Sequence, residues 1–204
     1  MDWKITSTDN VKALILTAHP DDETIFCGGA LLQYPSWNWT VICVTMQLNT
    51  ARPQEYTNAM AMYKALGVNI VNSLTLEQKD EGQELSIEEL AQWKDLILKQ
   101  NQNPDIVFTH NVEGEYGHSH HKAINKVANE IFSNIWEFIC PGAVNVAPQP
   151  FKTKNNVVPL SQDTLNKKTE IFNRSYTTQL ACWKVLPEIM QYEFRTGPEI
   201  FTSG

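Results

Sequence analysis

Val11-Lys12-Ala13-Leu14-Ile15-Leu16-Thr17, running straight into Ala18-His19-Pro20-Asp21-Asp22-Glu23, is the stretch on which the reading of this chain turns. The first segment is an apolar run of strand length, and the second packs an imidazole and three carboxylates into six residues. A strand that empties into such a cluster builds a site more readily than a core. Proline at position 20 ends the hydrogen-bond ladder and biases His19 toward an extended conformation, so the side chains of His19 and Asp22 can turn toward one point. One imidazole nitrogen and one carboxylate oxygen are half of a zinc-type shell. The other half is sought in Gly117-His118-Ser119-His120-His121, because an open α/β sheet assembles sites from loops at the carboxyl ends of different strands.

Outward from this stretch, strands and helices alternate. Thr24 to Gln33 reads as a helix whose Gly28-Gly29 pair permits close packing; the acidic turn and the absence of G-x-G-x-x-G argue against a dinucleotide phosphate loop. Trp39 to Thr45 is a second β-branched run, and Arg52 opens a helix with Ala59, Met62 and Leu66 on one face that stops at Gly67. Val68 to Leu74 reads as a third strand, Leu76 to Leu85 as a charged loop holding Asp80, and Ser86 with Glu89 as a capping box before the stripe Leu90, Trp93, Ile97. Asp105 to Thr109 is the fourth strand, leading through a polar loop, His110 to Gly117, into a helix that turns Ile124, Val127, Ala128 and Ile131 inward. This alternation predicts a mainly parallel sheet covered on both faces. Pro141 to Pro159 reads as an aperiodic connection, Leu165 to Trp183 as one long helix ending before Pro187, and Tyr192 to Phe201 as a tail that either folds back near the site or hangs loose.

At 204 residues and 42% hydrophobic composition, the expectation is a single domain with a sizeable core. A net charge of −7 without basic runs argues against nucleic acid or an anionic membrane as partner. Cys27, Cys43, Cys140 and Cys182 form no C-x-x-C pair and read as reduced, partly buried thiols. The N-terminal segment has no apolar core, and no run approaches the roughly 18 residues of a membrane span, so a cytoplasmic location is expected.

His118 and His121, three apart at a helix start, can share one face. Two histidines and a carboxylate leave positions open on a metal, which is the arrangement of a hydrolytic site rather than a closed structural one. Asp21, beside Asp22, is then free to take a proton from water. With these residues in view, the chain resembles the LmbE-like metal-dependent N-deacetylases, which include the N-acetylglucosaminyl-phosphatidylinositol (PIG-L) deacetylases and sugar deacetylases of low-molecular-weight thiol biosynthesis. The resemblance rests on Ala18-His19-Pro20-Asp21-Asp22-Glu23 and on Gly114-Glu115-Tyr116-Gly117-His118-Ser119-His120-His121, with weaker echoes at Arg52-x-x-Glu55, Leu66-Gly67-Val68, Asp80 and Tyr176-x-x-Gln179. It implies a Rossmann-like three-layer α/β sandwich, zinc held by His19, Asp22 and His121, Asp21 as general base, and Tyr116 and His118 as the groups acting on the acetyl carbonyl. Glu23 and His110 occupy matching positions. One departure is His120, where the family often has Asp.

The resemblance implies an N-acetylated amino sugar, or a small conjugate of one, as substrate, with Zn2+ as cofactor and Fe2+ or Co2+ as ions the same ligands accept. Three rivals share the residues: an amidase cleaving a larger acyl group, a non-haem iron oxygenase, and a non-catalytic metal-containing sugar-binding module. Activity on acetyl against longer acyl groups, oxygen uptake with an oxo-acid, and binding without acetate release separate them. Nothing in the sequence bears on whether the protein forms a homo-oligomer.

Overall fold

The computed structural model describes residues 10–80, 82–100, 103–139, 155–180 and 199–203. Its elements in chain order are β1 (Lys12–Thr17), α1 (Asp22–Gln33), β2 (Asn38–Thr45), α2 (Arg52–Ala65), β3 (Ile70–Gln78), α3 (Ile87–Lys99), β4 (Ile106–Thr109), a kinked turn α4 (Gly114–Gly117), α5 (Ser119–Ile131), β5 (Ile135–Ile139), β6 (Asn155–Val158), α6 (Gln162–Ser175) and β7 (Glu199–Ser203). The seven strands form one sheet in the order β3-β2-β1-β4-β5-β7-β6. β1 pairs parallel with both β2 and β4, β2 with β3 and β4 with β5, while β7 runs antiparallel to β5 and to β6.

β1 shows why the sheet is covered twice. Ala13 and Ile15 point into a core with Cys27, Leu31, Tyr63, Phe172 and Tyr176 from α1, α2 and the α6 region, whereas Leu14 and Leu16 point into a core with Trp93, Ile97, Ile124 and Val127 from α3 and α5. A run apolar at every position suits a strand buried on both faces, and alternation would not. Each large side chain so buried contributes about 1.5–3 kcal/mol of transfer free energy. The expected three-layer α/β sandwich with a mainly parallel sheet is the observed architecture.

β1 and β4 lie side by side in the middle of the sheet, and the chain leaves them in opposite directions, so the crevice at their carboxyl ends is the topological switch point. Both histidine-bearing segments empty there.

Several expectations need correction. β3 continues to Gln78 through the start of the expected loop, because Met46 N–H bonds the Gln78 carbonyl across a register shift at which Glu77 sits at φ 53°. The last helix ends at Ser175, not near Trp183: Glu55 of α2 accepts hydrogen bonds from Thr178 N–H and from the hydroxyls of Thr177 and Thr178, turning the chain out of the helix. The connection before Pro159 contains β6, and the tail enters the sheet as β7. Cys140, Cys182, Trp183, Pro187 and most of the 141–159 connection lie outside the described residues. Cys27 and Cys43 are free and fully buried rather than partly so. Among the described residues no helix is long and apolar enough to cross a membrane.

Candidate metal centre

His19 follows β1, Asp22 opens α1 and His121 lies in the first turn of α5; all three are buried. His19 Nδ1 is 3.2 Å from His121 Nε2 and 3.3 Å from Asp22 Oδ2, and His121 Nε2 is 3.4 Å from the same oxygen. A tetrahedral ion with bonds of about 2.0–2.1 Å sets its donors about 3.3–3.4 Å apart. The nearly equilateral triangle therefore fits a zinc-sized ion, and its two imidazoles and one carboxylate are the donor set such an ion takes. Asp22 is held well below the usual carboxylate range: burial works against this, and His121 and His110 overcome it. The His19 backbone N–H also donates to Asp22 Oδ2 at 2.8 Å, which fixes the carboxylate's direction.

Glu115 holds the ring of His121 from behind, its Oε2 lying 2.5 Å from Nδ1. A carboxylate on the far nitrogen sets the tautomer and turns Nε2 toward the triangle. Glu115 sits at φ 55°, between Gly114 at φ 65° and Gly117 at φ 97°. Left-handed backbone at a non-glycine residue costs energy, and here it aims a buried side chain. Burial raises the Glu115 carboxyl, but His110 and His121 overcome it and hold it down to about 2. His110 spans the gap between Glu115 Oε2, 2.9 Å from Nδ1, and Asp22 Oδ2, 3.3 Å from Nε2. Burial lowers its pKa, and the carboxylates of Glu115 and Asp22 raise it to about 9. A cation in the triangle would select the neutral ring with its proton on Nδ1, the form in which Nε2 accepts the Ala18 N–H that lies 3.0 Å away.

Asp21 lies beside the triangle but faces Arg52 Nη1 at 3.4 Å. Burial pushes its carboxyl up, with Asp22 and Glu23 adding to the effect and Arg52 opposing it, to about 7. Its backbone is at φ 113°, and its N–H donates to Glu23 Oε2 at 3.1 Å. Glu23 is anchored in turn by Tyr176 Oη at 2.5 Å and Thr24 Oγ1 at 2.7 Å. Hydrogen-bond support of the loop is the role this geometry gives Glu23.

His118 caps α5, its Nδ1 accepting the His120 backbone N–H at 3.3 Å. Burial, then His121 and His19, push its pKa down to about 3. The ring is therefore neutral, with its proton on Nε2. Tyr116 is 39% exposed at the lip of the crevice, its ring 5.3 Å from that of His121 and 6.0 Å from that of His118. All six residues singled out in the sequence thus meet at one sheet edge. Three neighbours with evident work there were not assigned it: Glu115 behind His121, Arg52 beside Asp21, and Asp80, whose Oδ1 is 3.6 Å from His19 Nε2. A carboxylate just upstream of a histidine cluster was the available signal for Glu115.

A family model described as PIG-L: GlcNAc-PI de-N-acetylase matches residues 14–132, from β1 through α5. The uncharacterized protein L374 of Acanthamoeba polyphaga mimivirus is 31% identical over 134 residues, covering 58% of this chain and 56% of that protein, so the chain spans little more than half of this curated relative's length. Among solved structures, a triple mutant of a deacetylase involved in the teicoplanin biosynthetic pathway superposes with a TM-score of 0.71 at 15% identity, covering 95% of this chain and 97% of that one. N,N'-diacetylchitobiose deacetylase from Pyrococcus horikoshii, complexed with an inhibitor, gives a TM-score of 0.66 at 16% identity, covering 96% and 84%. At these identities the structural likeness is one of fold.

Proposed function

The chain belongs to the PIG-L family of GlcNAc-PI de-N-acetylases, and from that premise we propose that it is a metal-dependent hydrolase removing the acetyl group from an N-acetylated amino sugar or a small conjugate of one. The observation that carries the reading is the 3.2–3.4 Å triangle of His19, Asp22 and His121 with Asp21 beside it and not in it. His19, Asp22 and His121 would hold the ion, for which we propose Zn2+. When bound, such an ion supplies Lewis acidity that polarises a carbonyl and brings the pKa of water toward neutrality.

The chain's own residues do the rest. Asp21, directed by Arg52 and held in its left-handed turn by Glu23, takes the proton from the attacking water. A carboxylate tuned near neutrality suits a base that must later give that proton to the leaving amine. His118, neutral and with Nδ1 committed to the α5 cap, offers its Nε2 proton to the carbonyl oxygen as negative charge develops there. Tyr116, at the lip, offers a second hydrogen bond to the same oxygen. Glu115 keeps His121 in the tautomer that turns Nε2 inward. The products are acetate and a free amine on the sugar. The buried free thiols Cys27 and Cys43 fit a reducing, cytoplasmic compartment.

The test is incubation of the zinc-loaded protein with a panel of N-acetylhexosamines and their conjugates, scoring released acetate and new primary amine. Both should appear in equal amounts. Tight sugar binding with no acetate would replace the reading with that of a binding module.

A further inference from the structure

A second set of donors converges on the side of the His19 ring turned away from Asp22 and His121. His19 Nε2 lies 3.3 Å from His120 Nδ1 and 3.6 Å from Asp80 Oδ1, and that oxygen lies 3.5 Å from His120 Nδ1. The donor atoms of His19, His118 and His120 also fall within 4.8 Å of one another. His120 is 1% exposed, packed edge-on against Trp93, and its ring hydrogen-bonds the backbone of Gln83.

His120 Nδ1 and Asp80 Oδ1 both face His19 Nε2, and Asp80 brings into this half-buried pocket a negative charge that a cation would offset. A proton on His19 Nε2 serves one of them at a time, and both acceptors lie beyond the usual range for such bonds. A tetrahedral divalent ion, which spaces its donors about 3.3–3.4 Å apart, serves all three together. The buried charges away from the crevice, among the described residues, do not pose this problem: Lys168 meets Glu199, and Glu55 meets Thr177 and Thr178.

We propose that His19 Nε2, His120 Nδ1 and Asp80 Oδ1 form an auxiliary site for a second divalent ion of the Zn2+, Co2+ or Ni2+ class, sharing the His19 ring with the first. The inference rests on the reading of His19 as a ligand of the first ion through Nδ1. Filling the site breaks the N–H bond at His19 Nε2, forms a nitrogen–metal bond with the freed electron pair and releases the proton to solvent. The ring then bridges both ions as an imidazolate. Asp80 is 22% exposed at its side chain against 4% for Asp22, so the auxiliary ion is held more loosely and enters after the first.

The experiment is a Zn2+ titration of metal-free protein by calorimetry, with the bound metal counted by mass spectrometry after dialysis against buffered zinc. Wild type should take up two equivalents, the second at least tenfold weaker. Asp80→Asn and His120→Phe should each stop at one tight equivalent. Circular dichroism shows whether His120→Phe is folded, and the loop variant Asp80→Asn decides if it is not. Saturation of wild type at one tight equivalent overturns the auxiliary site and leaves the deacetylase reading standing. Two equivalents retained by folded variants would place the second ion elsewhere and overturn it too. No zinc uptake by wild type overturns both.

Discussion

Asp21 and Asp22 are adjacent in sequence and opposite in electrostatic fate. Asp22 is held ionised by His110 and His121, while Asp21 is lifted to about 7 by burial and by its acidic neighbours. Their substitutions should separate accordingly. Asp22→Asn should lose metal affinity first, whereas Asp21→Asn should keep a full metal equivalent and lose about a hundredfold or more in kcat, the scale of a general base. Metal analysis beside steady-state kinetics tests the split, and an empty Asp21→Asn protein with a metallated, slow Asp22→Asn protein reverses the two roles. Because the base must be ionised, kcat/KM should climb with pH to a plateau. A bound cation draws Asp21 downward, so the midpoint should fall at or below about 7. Glu115 makes a related point about what a sequence discloses. Its neighbours in the Gly-Glu-Tyr-Gly-His run were legible as site residues, but its own work depends on a left-handed backbone that swings the carboxylate under a histidine six positions ahead. Glu115→Gln removes the charge and keeps the shape, and should weaken zinc binding about 10- to 100-fold in a chelator competition.

At the scale of elements, local pattern was readable wherever the element is buried on a recognisable period. β1, β2 and β4 are continuous apolar runs, and the Ser86–Glu89 capping box is present as drawn, with Glu89 N–H donating to Ser86 Oγ and Ser86 N–H to Glu89 Oε2. β6 and β7 were not readable, since Asn155–Val158 and Glu199–Ser203 are too short to show alternation and are made strands by pairing with each other and with β5. Yet β7 is where the carboxyl-terminal segment clamps the molecule. Glu199 accepts the N–H groups of Gly29 and Ala30 in α1 at 2.6 and 2.7 Å and pairs with Lys168 of α6 at 2.7 Å, both side chains being buried. This explains one glycine of α1: a Cβ at Gly29 would stand 2.5 Å from Leu160 and 2.9 Å from Glu199. Lys168→Met strands the carboxylate inside the protein, while its two backbone donors remain. The expected loss is about 3 kcal/mol, the low end for breaking a buried pair, read as a lowered urea midpoint at unchanged slope.

For the molecule as a whole, strand order concentrates titratable groups at one edge of the sheet, and folding without a cation must absorb their mutual repulsion with protons. The sign of each contribution can be followed. Glu115, lowered to about 2 from 4.5, stabilises the fold above pH 4.5, and its contribution is constant from there upward. His118 and His120, both lowered from 6.5, favour the fold increasingly as pH rises to 6.5 and change nothing beyond it. Asp21, raised to about 7 from 3.8, contributes stability that is full below 3.8 and gone above about 7. His110, raised to about 9 from 6.5, contributes stability that is full below 6.5 and lost as pH passes through about 9, and His19 and His121 are shifted in the same direction. Below pH 6.5 these effects oppose one another; from 6.5 to 9 every one still changing has the same sign. The melting temperature of metal-free protein should therefore fall steadily across that window. Zinc should flatten the slope as well as raise the curve, because an ion in the His19–Asp22–His121 triangle supplies the positive charge that protons on His110, His19 and His121 otherwise provide. Calorimetric scans with chelator and with saturating Zn2+ give the comparison. A metal-free melting temperature that holds level or rises between pH 6.5 and 9 would mean that the histidines at the switch point stay neutral without the ion, and that the carboxylates there find their compensation elsewhere.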